Sequence, residues 1–104
     1  ASGMNGQNFA FTGYLPIDKN NRIRVLRNLE ALAKKTGQTQ IFMETPYRNI
    51  QLITTILKTC KSSTRLCIAA NLTLANEFIQ TKSIEEWKHT KIDIDKQPAI
   101  FLIE

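Results

Sequence analysis

The sequence predicts a single α/β domain (mixed α+β), with a mixed β-sheet of about five strands, three helices and the element order β-α-β-α-β-β-α-β. Three observations lead to this prediction. A length of 104 residues suits one hydrophobic core. Strand-length apolar or alternating runs are interleaved with longer segments of helical periodicity. The apolar fraction of 42% and the charged fraction of 22% are typical of a globular protein.

The chain opens with a small polar segment, residues 1–7, which is interpreted as a linker or domain entry. Phe9 to Leu15 then shows the period-2 alternation of a strand, and Pro16, which lacks a backbone N–H, ends it.

A first helix is predicted from Asn20 to Lys35, and Gly37 supplies a usual helix stop. Its apolar positions fall at helical spacing: Ile23, Leu26, Leu29, Leu32 and Ala33. The basic residues between them are expected to point mostly away from the core: Arg22, Arg24, Arg27, Lys34 and Lys35.

A second strand and helix follow directly. Thr39 to Met43 is β-branched and aromatic, which favours a short buried strand. Thr45 is predicted to cap the next helix, with Pro46 at its first position, where a missing N–H costs nothing. That helix continues through Ile50, Ile53, Ile56 and Leu57.

The last part of the chain contains three strands and one helix. Arg65 to Ala70 is a nearly continuous apolar run, typical of a covered strand, and Phe78 and Ile79 belong to a short extended segment. Ser83 and Glu86 form a capping box for a short helix that ends near Lys88. The final strand, Ala99 to Ile103, follows Pro98.

The composition argues against metal and membrane sites. Cys60 and Cys67 lie inside apolar patterns, so we expect buried free thiols, and with the single histidine, His89, they lack metal-ligand spacing. Apolar runs are far shorter than the roughly 20 residues that span a bilayer, and no signal peptide opens the chain. A cytoplasmic protein without metal or membrane contact is expected.

The net charge of +5 arises from 14 basic and 9 acidic side chains. Such an excess would attract a polyanion such as RNA, but solvated helix faces explain it equally well. Basic residues concentrate in Lys19 to Lys35 and at Lys58, Lys61 and Arg65, with few aromatic residues between them for base stacking. Both interpretations stay open.

No catalytic constellation is evident from residue types. His89 is expected on a solvated helix end, out of reach of either cysteine, and Glu44 is the lone acid at a strand end, where a hydrolase needs two. The four glycines form no phosphate-binding loop. The catalytic residues therefore stay unknown.

Two segments follow strands at the position where open α/β sheets bind ligands. Met43 to Arg48 follows the second strand, and Ala69 to Thr73 follows the third. The alternative is purely structural: Glu44 and Thr45 cap a helix, and Asn71 makes a turn.

Several segments, in order, resemble the tetrapyrrole methylase superfamily of S-adenosylmethionine-dependent methyltransferases, and most closely the branch that 2′-O-methylates a cytidine of small-subunit ribosomal RNA. Ser2-Gly3 with Phe9–Pro16 is similar to that branch's S-G-L-P linker and F-x-G-F-L-P strand. Ile41–Arg48 is similar to I-F-Y-E-S-P-H-R, Cys67–Thr73 to A-V-A-R-E-L-T, and Pro98–Ile100 to the closing strand.

The resemblance implies that residues 1–104 are the C-terminal domain of a two-domain enzyme that binds S-adenosylmethionine in the cleft between its domains. The N-terminal domain, which brings the glycine-rich cofactor loops, is not part of this sequence, so the isolated domain is expected to be inactive. Its expected partners are its own N-terminal domain and ribosomal RNA, and the full-length form is expected to be a homodimer.

The resemblance also implies roles for individual residues, largely through their backbone groups. The cofactor-binding residues would be Met43, Glu44, Ala69, Ala70, Asn71, Leu72 and Thr73. The substrate-binding residues would be Thr45, Tyr47 and Arg48. Where the ribosomal RNA branch has Arg-Glu, His and Lys, this chain has Ala70-Asn71, Tyr47 and Leu74, which removes charges that would touch RNA.

Three alternatives therefore stay open. In the first, the methyl acceptor is a tetrapyrrole or another small molecule. In the second, the chain is an RNA-binding accessory domain without cofactor contact. In the third, it is a structural domain that pairs with itself. The last alternative depends on Phe9, Phe11 and the final strand forming an exposed apolar face.

Overall fold

The computed structural model describes residues 9–71, 75, 77–90, 92 and 99–104. In chain order the elements are β1 (Phe9–Tyr14), α1 (Lys19–Thr36), β2 (Thr39–Glu44), α2 (Asn49–Thr59), β3 (Arg65–Ala70), β4 (Phe78–Ser83), α3 (Ile84–Lys88) and β5 (Ala99–Ile103). The predicted class, element order, strand number and helix number are confirmed. The predicted linker and Pro98 lie outside the described residues.

The five strands form one mixed sheet in the order β1-β2-β5-β3-β4. β1 and β2 pair in parallel, while β5 runs antiparallel to both of its neighbours, β2 and β3. β1, β2 and β3 therefore point the same way, and their carboxyl ends lie at one edge of the sheet. We call this the carboxyl edge.

All three helices pack on one face of the sheet, which we call the covered face. Phe42 of β2 lies beside Phe101 of β5, which lies beside Ile68 of β3, and none of the three is exposed. The Phe42 and Phe101 rings stack with centroids 5.9 Å apart. The helices contribute these buried residues to the same core: Leu26, Leu29, Leu52, Ile53, Ile56, Ile84 and Trp87.

The opposite face of the sheet is apolar but carries none of the described helices, and we call it the open face. Its apolar residues are Phe9, Phe11, Tyr14, Ile41, Met43, Ile100, Leu102 and Ile79, together with the small residues Cys67 and Ala69, and its polar residues include Thr39, Arg65, Thr81 and Ser83. Phe9 is 54% exposed and Phe11 is 62% exposed, as their predicted role in an exposed face requires. The final strand fits that prediction only in part, because Ala99, Phe101 and Ile103 belong to the core.

A bulge in β1 breaks the predicted alternation of that strand. Phe11 pairs with Ile41, but Gly13 pairs with the next residue, Phe42, so one extra residue is inserted. Gly13 adopts a φ of +83°, which a residue with a side chain rarely tolerates. Tyr14 consequently joins the two phenylalanines on the open face, whereas Leu15 turns into the core.

Helix α1 begins and ends with the expected signals. The Asp18 carboxylate accepts a hydrogen bond from the Asn21 backbone N–H at 3.0 Å, and Gly37, with a φ of +68°, closes the helix. Two side chains depart from the prediction: Leu32 is 45% exposed, whereas the Arg22 side chain lies in the buried stripe.

Glu30 is a further buried residue of α1, and it ties the helix to the connection after α2. Its Oε2 accepts hydrogen bonds from the Lys61 backbone N–H at 2.8 Å and from the Thr64 hydroxyl at 2.6 Å. Because these bonds satisfy the carboxylate, its burial is compatible with a stable core.

Helix α3 is anchored at both ends. The predicted capping box is confirmed, since Ser83 and Glu86 exchange hydrogen bonds between side chains and backbone. Trp87 is buried, and its indole N–H donates to the Leu66 carbonyl oxygen of β3 at 2.7 Å. None of the described helices is long and apolar enough to cross a membrane.

Candidate functional site

The structure brings the two predicted ligand segments together at the carboxyl edge. Glu44, the last residue of β2, pairs with Ala99 of β5, and Ala99 pairs on its other side with Ala70, the last residue of β3. Neighbouring strands lie about 4.8 Å apart, so the ends of β2 and β3 are separated by about 10 Å. One small ligand can therefore contact both segments.

Glu44 is the most unusual polar group at this edge, because its side chain is only 2% exposed. Its Oε1 accepts a hydrogen bond from the Thr45 backbone N–H at 2.7 Å and one from the Arg48 Nε at 3.4 Å. Its Oε2 is equally buried and has no hydrogen-bond partner within the described residues. Buried carboxylate oxygens are normally bonded, so this oxygen lacks its usual partner among the described residues.

The prediction that the Thr45 side chain caps the second helix is wrong. The Thr45 side chain makes no capping hydrogen bond, and Pro46 to Arg48 forms a short 3₁₀ turn before α2 starts at Asn49. The carboxylate of Glu44 is the group that accepts from the turn, at the Thr45 N–H. The residue before Pro46 is confined to an extended backbone, which sets Thr45 at a φ of −64° and a ψ of 150°.

The three predicted substrate residues all lie on this turn but differ in freedom. Thr45 is half-buried, and Arg48 is held by its ion pair with Glu44. Tyr47 is 80% exposed, so its phenol is presented to solvent, three residues after Glu44 in the chain. Of the three side chains, Tyr47 is the one that a second molecule meets first.

The end of β3 supplies small side chains and a sharp turn. Ala69 is 6% exposed and Ala70 is fully buried, so neither offers a functional side chain. Asn71 is buried and adopts a φ of +53°, in the left-handed region that asparagine tolerates better than most residues. The predicted contacts Leu72 and Thr73 lie outside the described residues.

The predicted cofactor residues are divided between the two faces of the sheet. Met43 and Ala69 lie on the open face on either side of Ile100, whereas Glu44 and Ala70 lie on the covered face. A ligand across the carboxyl edge would meet apolar side chains on one face and the Glu44 carboxylate on the other.

The other titratable candidates do not assemble into a catalytic group. Cys60 and Cys67 are buried and free, as predicted. Burial raises the pKa of the Cys60 thiol to about 12, with a further rise from the Glu30 carboxylate, so Cys60 is protonated at neutral pH. The side chain of His89 is 77% exposed and lies 3.3 Å from Glu85. Within the described ranges, no three His, Cys, Asp or Glu side chains converge as a metal site.

Sequence reasoning missed one candidate, the buried Arg22. The signal was present in the spacing, because Arg22 precedes Leu26, Leu29 and Ala33 by four, seven and eleven residues, the period of the buried stripe. Its charge favours an exposed side chain, whereas its position in this stripe favours a buried one.

Comparisons with known proteins support the resemblance found in the sequence. The chain is 32% identical over 80 residues to the ribosomal RNA small subunit methyltransferase I of Buchnera aphidicola subsp. Baizongia pistaciae. This alignment covers 77% of this chain and 26% of that protein. The protein of the same name from Buchnera aphidicola subsp. Schizaphis graminum is 34% identical over 79 residues, covering 76% and 26%. The chain thus spans about a quarter of the length of these curated relatives. No protein-family profile matches it.

Among solved structures, the methyltransferase CobJ shares the fold. The superposition has a TM-score of 0.52 and covers 94% of this chain and 41% of that chain, at 11% sequence identity. The two chains therefore share an architecture. Together, the two relatives and the fold support a tetrapyrrole methylase-like domain.

Proposed function

We propose that the chain is the C-terminal domain of an S-adenosylmethionine-dependent methyltransferase, and that its carboxyl edge forms one side of the cofactor cleft. The observation that carries the proposal is the Oε2 of Glu44 at the end of β2, which is buried and has no hydrogen-bond partner among the described residues. The curated relatives, both named as ribosomal RNA methyltransferases, support the same reaction class.

The residues at the edge fit an adenosyl group. An unsatisfied carboxylate oxygen in a buried position calls for an N–H or O–H donor, and ribose hydroxyls and an amino group are such donors. Met43, Ala69 and Ile100 provide apolar surface on the adjoining open face, where a purine ring can pack. When bound, S-adenosylmethionine supplies an electrophilic methyl group, and the contribution of this domain is to fix the position of its carrier.

The proposed acceptor is a ribose 2′-hydroxyl of ribosomal RNA, which follows the family branch and the names of the relatives. Tyr47 is the proposed first contact of the acceptor, because it is 80% exposed one turn away from the Glu44 carboxylate. The proposal includes a cytoplasmic enzyme, an N-terminal domain that closes the cleft, and a homodimeric full-length form. The catalytic base is not assigned to this chain.

Calorimetry on the full-length protein with S-adenosylhomocysteine tests the cofactor proposal. Glu44→Gln keeps the size of the side chain and one oxygen for the Thr45 N–H, but it replaces the second acceptor by an N–H₂ donor. We expect this variant to weaken binding about tenfold or more, since a hydrogen bond to a charged group contributes roughly 1.5–3 kcal/mol. Glu85→Gln, which removes the same charge from an exposed carboxylate on α3, should bind as the parent does.

Two results would overturn the cofactor proposal: no binding by the unmodified full-length protein, or equal binding by the two variants. The acceptor is tested separately by transfer of a radiolabelled methyl group to small-subunit ribosomal RNA and to uroporphyrinogen. Transfer to RNA is the expected result, and transfer to uroporphyrinogen alone would replace the proposed acceptor while leaving the cofactor assignment intact.

A further inference from the structure

We propose that the groove between α1 and α2 is a binding site for a phosphate group, with the buried guanidinium of Arg22 as its central contact. The groove has a volume of about 380 Å³ and lies on the helix-bearing side of the sheet. It is lined by Lys19, Arg22 and Ile23 of α1 and, among others, by Gln51, Lys58 and Thr59 of α2. It does not depend on the proposed methyl transfer, because it shares no residue with the carboxyl edge.

Arg22 is the observation that points to a ligand. The residue is only 7% exposed, and its Nε is buried without a hydrogen-bond partner in the described structure. Its guanidinium also makes no ion pair with the described carboxylates. Arginine stays charged at any physiological pH, and a buried charge without a counter-charge is costly. An anion in the groove would supply the missing acceptor.

Among the described residues, the lining of the groove carries positive charge and no negative charge. Lys19 and Lys58 are exposed residues of the lining, and no acidic residue is part of it. Asp18, next to Lys19 in the chain, is used as the cap of α1, where it accepts from the Asn21 N–H. The other acid of this helix, Glu30, is bonded to the connection after α2. Three cations therefore face one groove.

A phosphate group fits this donor set better than a carboxylate does. The planar guanidinium of Arg22 presents parallel N–H donors that match two oxygens of a phosphate, and ammonium groups act as mobile point charges around it. The Thr59 hydroxyl has no intramolecular partner in the described chain and adds a neutral donor at the far end of the lining. The groove is open to solvent, which suits a phosphate that is attached to a larger molecule.

The phosphate has two possible sources, the backbone of a nucleic acid or a small phosphorylated compound. The test uses the full-length protein and two double variants with the same charge change. The groove variant, Lys19→Ala with Lys58→Ala, removes the exposed cations of the groove. The control variant, Lys34→Ala with Lys35→Ala, removes two exposed cations from the other end of α1, outside the lining. Arg22→Met serves as a third variant of similar length without the charge.

The first arm measures the affinity for a fluorescent single-stranded RNA decamer by anisotropy over a range of salt concentrations. We expect the groove variant and Arg22→Met to bind about tenfold more weakly, with a salt dependence that is shallower by about 0.7 for each lost phosphate contact. The RNA affinity of the control variant should fall threefold or less, because the loss of exposed charges weakens binding by about 0.6 kcal/mol at most. This result supports a nucleic-acid source.

The second arm titrates pyrophosphate into isotope-labelled protein and follows the Arg22 Nε–H resonance by NMR. A small phosphorylated ligand is supported by two results together. The resonance shifts saturably in the parent but not in the groove variant, and the variants leave RNA binding unchanged. The proposal is overturned if neither probe responds to the groove variants, or if the control variant loses as much RNA affinity as the groove variant. Because cofactor binding is measured separately with S-adenosylhomocysteine, a failure here leaves the proposed methyltransferase function standing.

Discussion

The two faces of the sheet are built from the same strands and are both apolar, yet they differ in what covers them. On the covered face, Phe42 and Phe101 are fully buried beneath helices α1, α2 and α3. On the open face, Phe11 is 62% exposed and Tyr14 is 61% exposed. Apolar surface stabilises a fold only when it leaves water, at roughly 25 cal/mol per Å². The covered face therefore holds the domain together, whereas the β1 part of the open face keeps its apolar surface exposed.

The largest expected difference comes from truncating one phenylalanine on each face. Phe42→Ala should lower the free energy of unfolding by about 3–5 kcal/mol, because it removes a buried ring and leaves a cavity against Phe101. Phe11→Ala should cost about 1 kcal/mol or less, since most of its ring is already hydrated. Urea denaturation of the two variants, followed by tryptophan fluorescence, measures both values.

Equal losses in the two variants would contradict the comparison, because they would mean that Phe11 is buried in solution, for example in a dimer. Sedimentation of the unmodified protein and of Phe11→Ala over a range of concentrations distinguishes that explanation from burial within a single chain.

A smaller effect tests whether hydrogen bonds as well as packing hold the helices on the covered face. Trp87→Phe retains most of the apolar contact but removes the indole N–H that donates to the Leu66 carbonyl oxygen. We expect a loss of roughly 0.5–1.5 kcal/mol, the net contribution of one hydrogen bond. The midpoint of thermal unfolding should fall accordingly. A midpoint that does not change would show that packing alone anchors α3.

The smallest effect concerns the cap of α3 and depends on pH. The Ser83 backbone N–H donates to the Glu86 carboxylate, and this bond lowers the pKa of Glu86 from its ordinary value. A carboxyl group with a depressed pKa in the folded state stabilises that state above its unfolded pKa and ceases to do so as the pH falls through the folded pKa. The parent should therefore be more stable than Glu86→Gln near neutral pH.

Chemical denaturation of parent and Glu86→Gln between about pH 7 and about pH 3 checks this sign, because carboxyl groups titrate in the acidic part of that range. The difference in unfolding free energy should shrink toward the acidic end. A difference that stays constant over the range would show that the charge of Glu86 does not contribute to the cap.

Most of the fold was predictable because strand and helix periods are local properties. The stripe of Leu26, Leu29 and Ala33 and the capping box at Ser83 needed no tertiary information. The position of β5 between β2 and β3 was not predictable, since pairing between strands distant in sequence leaves no local pattern. The bulge beside Gly13 was not predictable either, because the sequence keeps an alternating apolar pattern through the point at which the backbone inserts the extra residue.

The candidate site was predictable in its segments but not in its atoms. Chain order placed Glu44 and Ala70 after strands, and the structure shows that both strands end at one edge. The sequence favours Thr45 as the cap, yet the Thr45 N–H itself donates to the Glu44 carboxylate. Which side chain accepts this bond depends on side-chain rotamers, which the sequence does not reveal. Arg22 shows the same limit, because only the packing of α1 against α2 reveals that a charged residue is enclosed.

The central position of β5 has a consequence for how the domain forms during translation. β1 can pair with β2, and β3 can pair with β4, as soon as each pair has left the ribosome, but these two halves share no strand-to-strand contact until β5 enters between them. The nascent chain therefore passes through a stage in which β2 and β3 each present an unpaired edge, the type of surface that invites misassociation. A pause in synthesis just before Ala99 would prolong that stage, and a chaperone bound there would shorten its exposure.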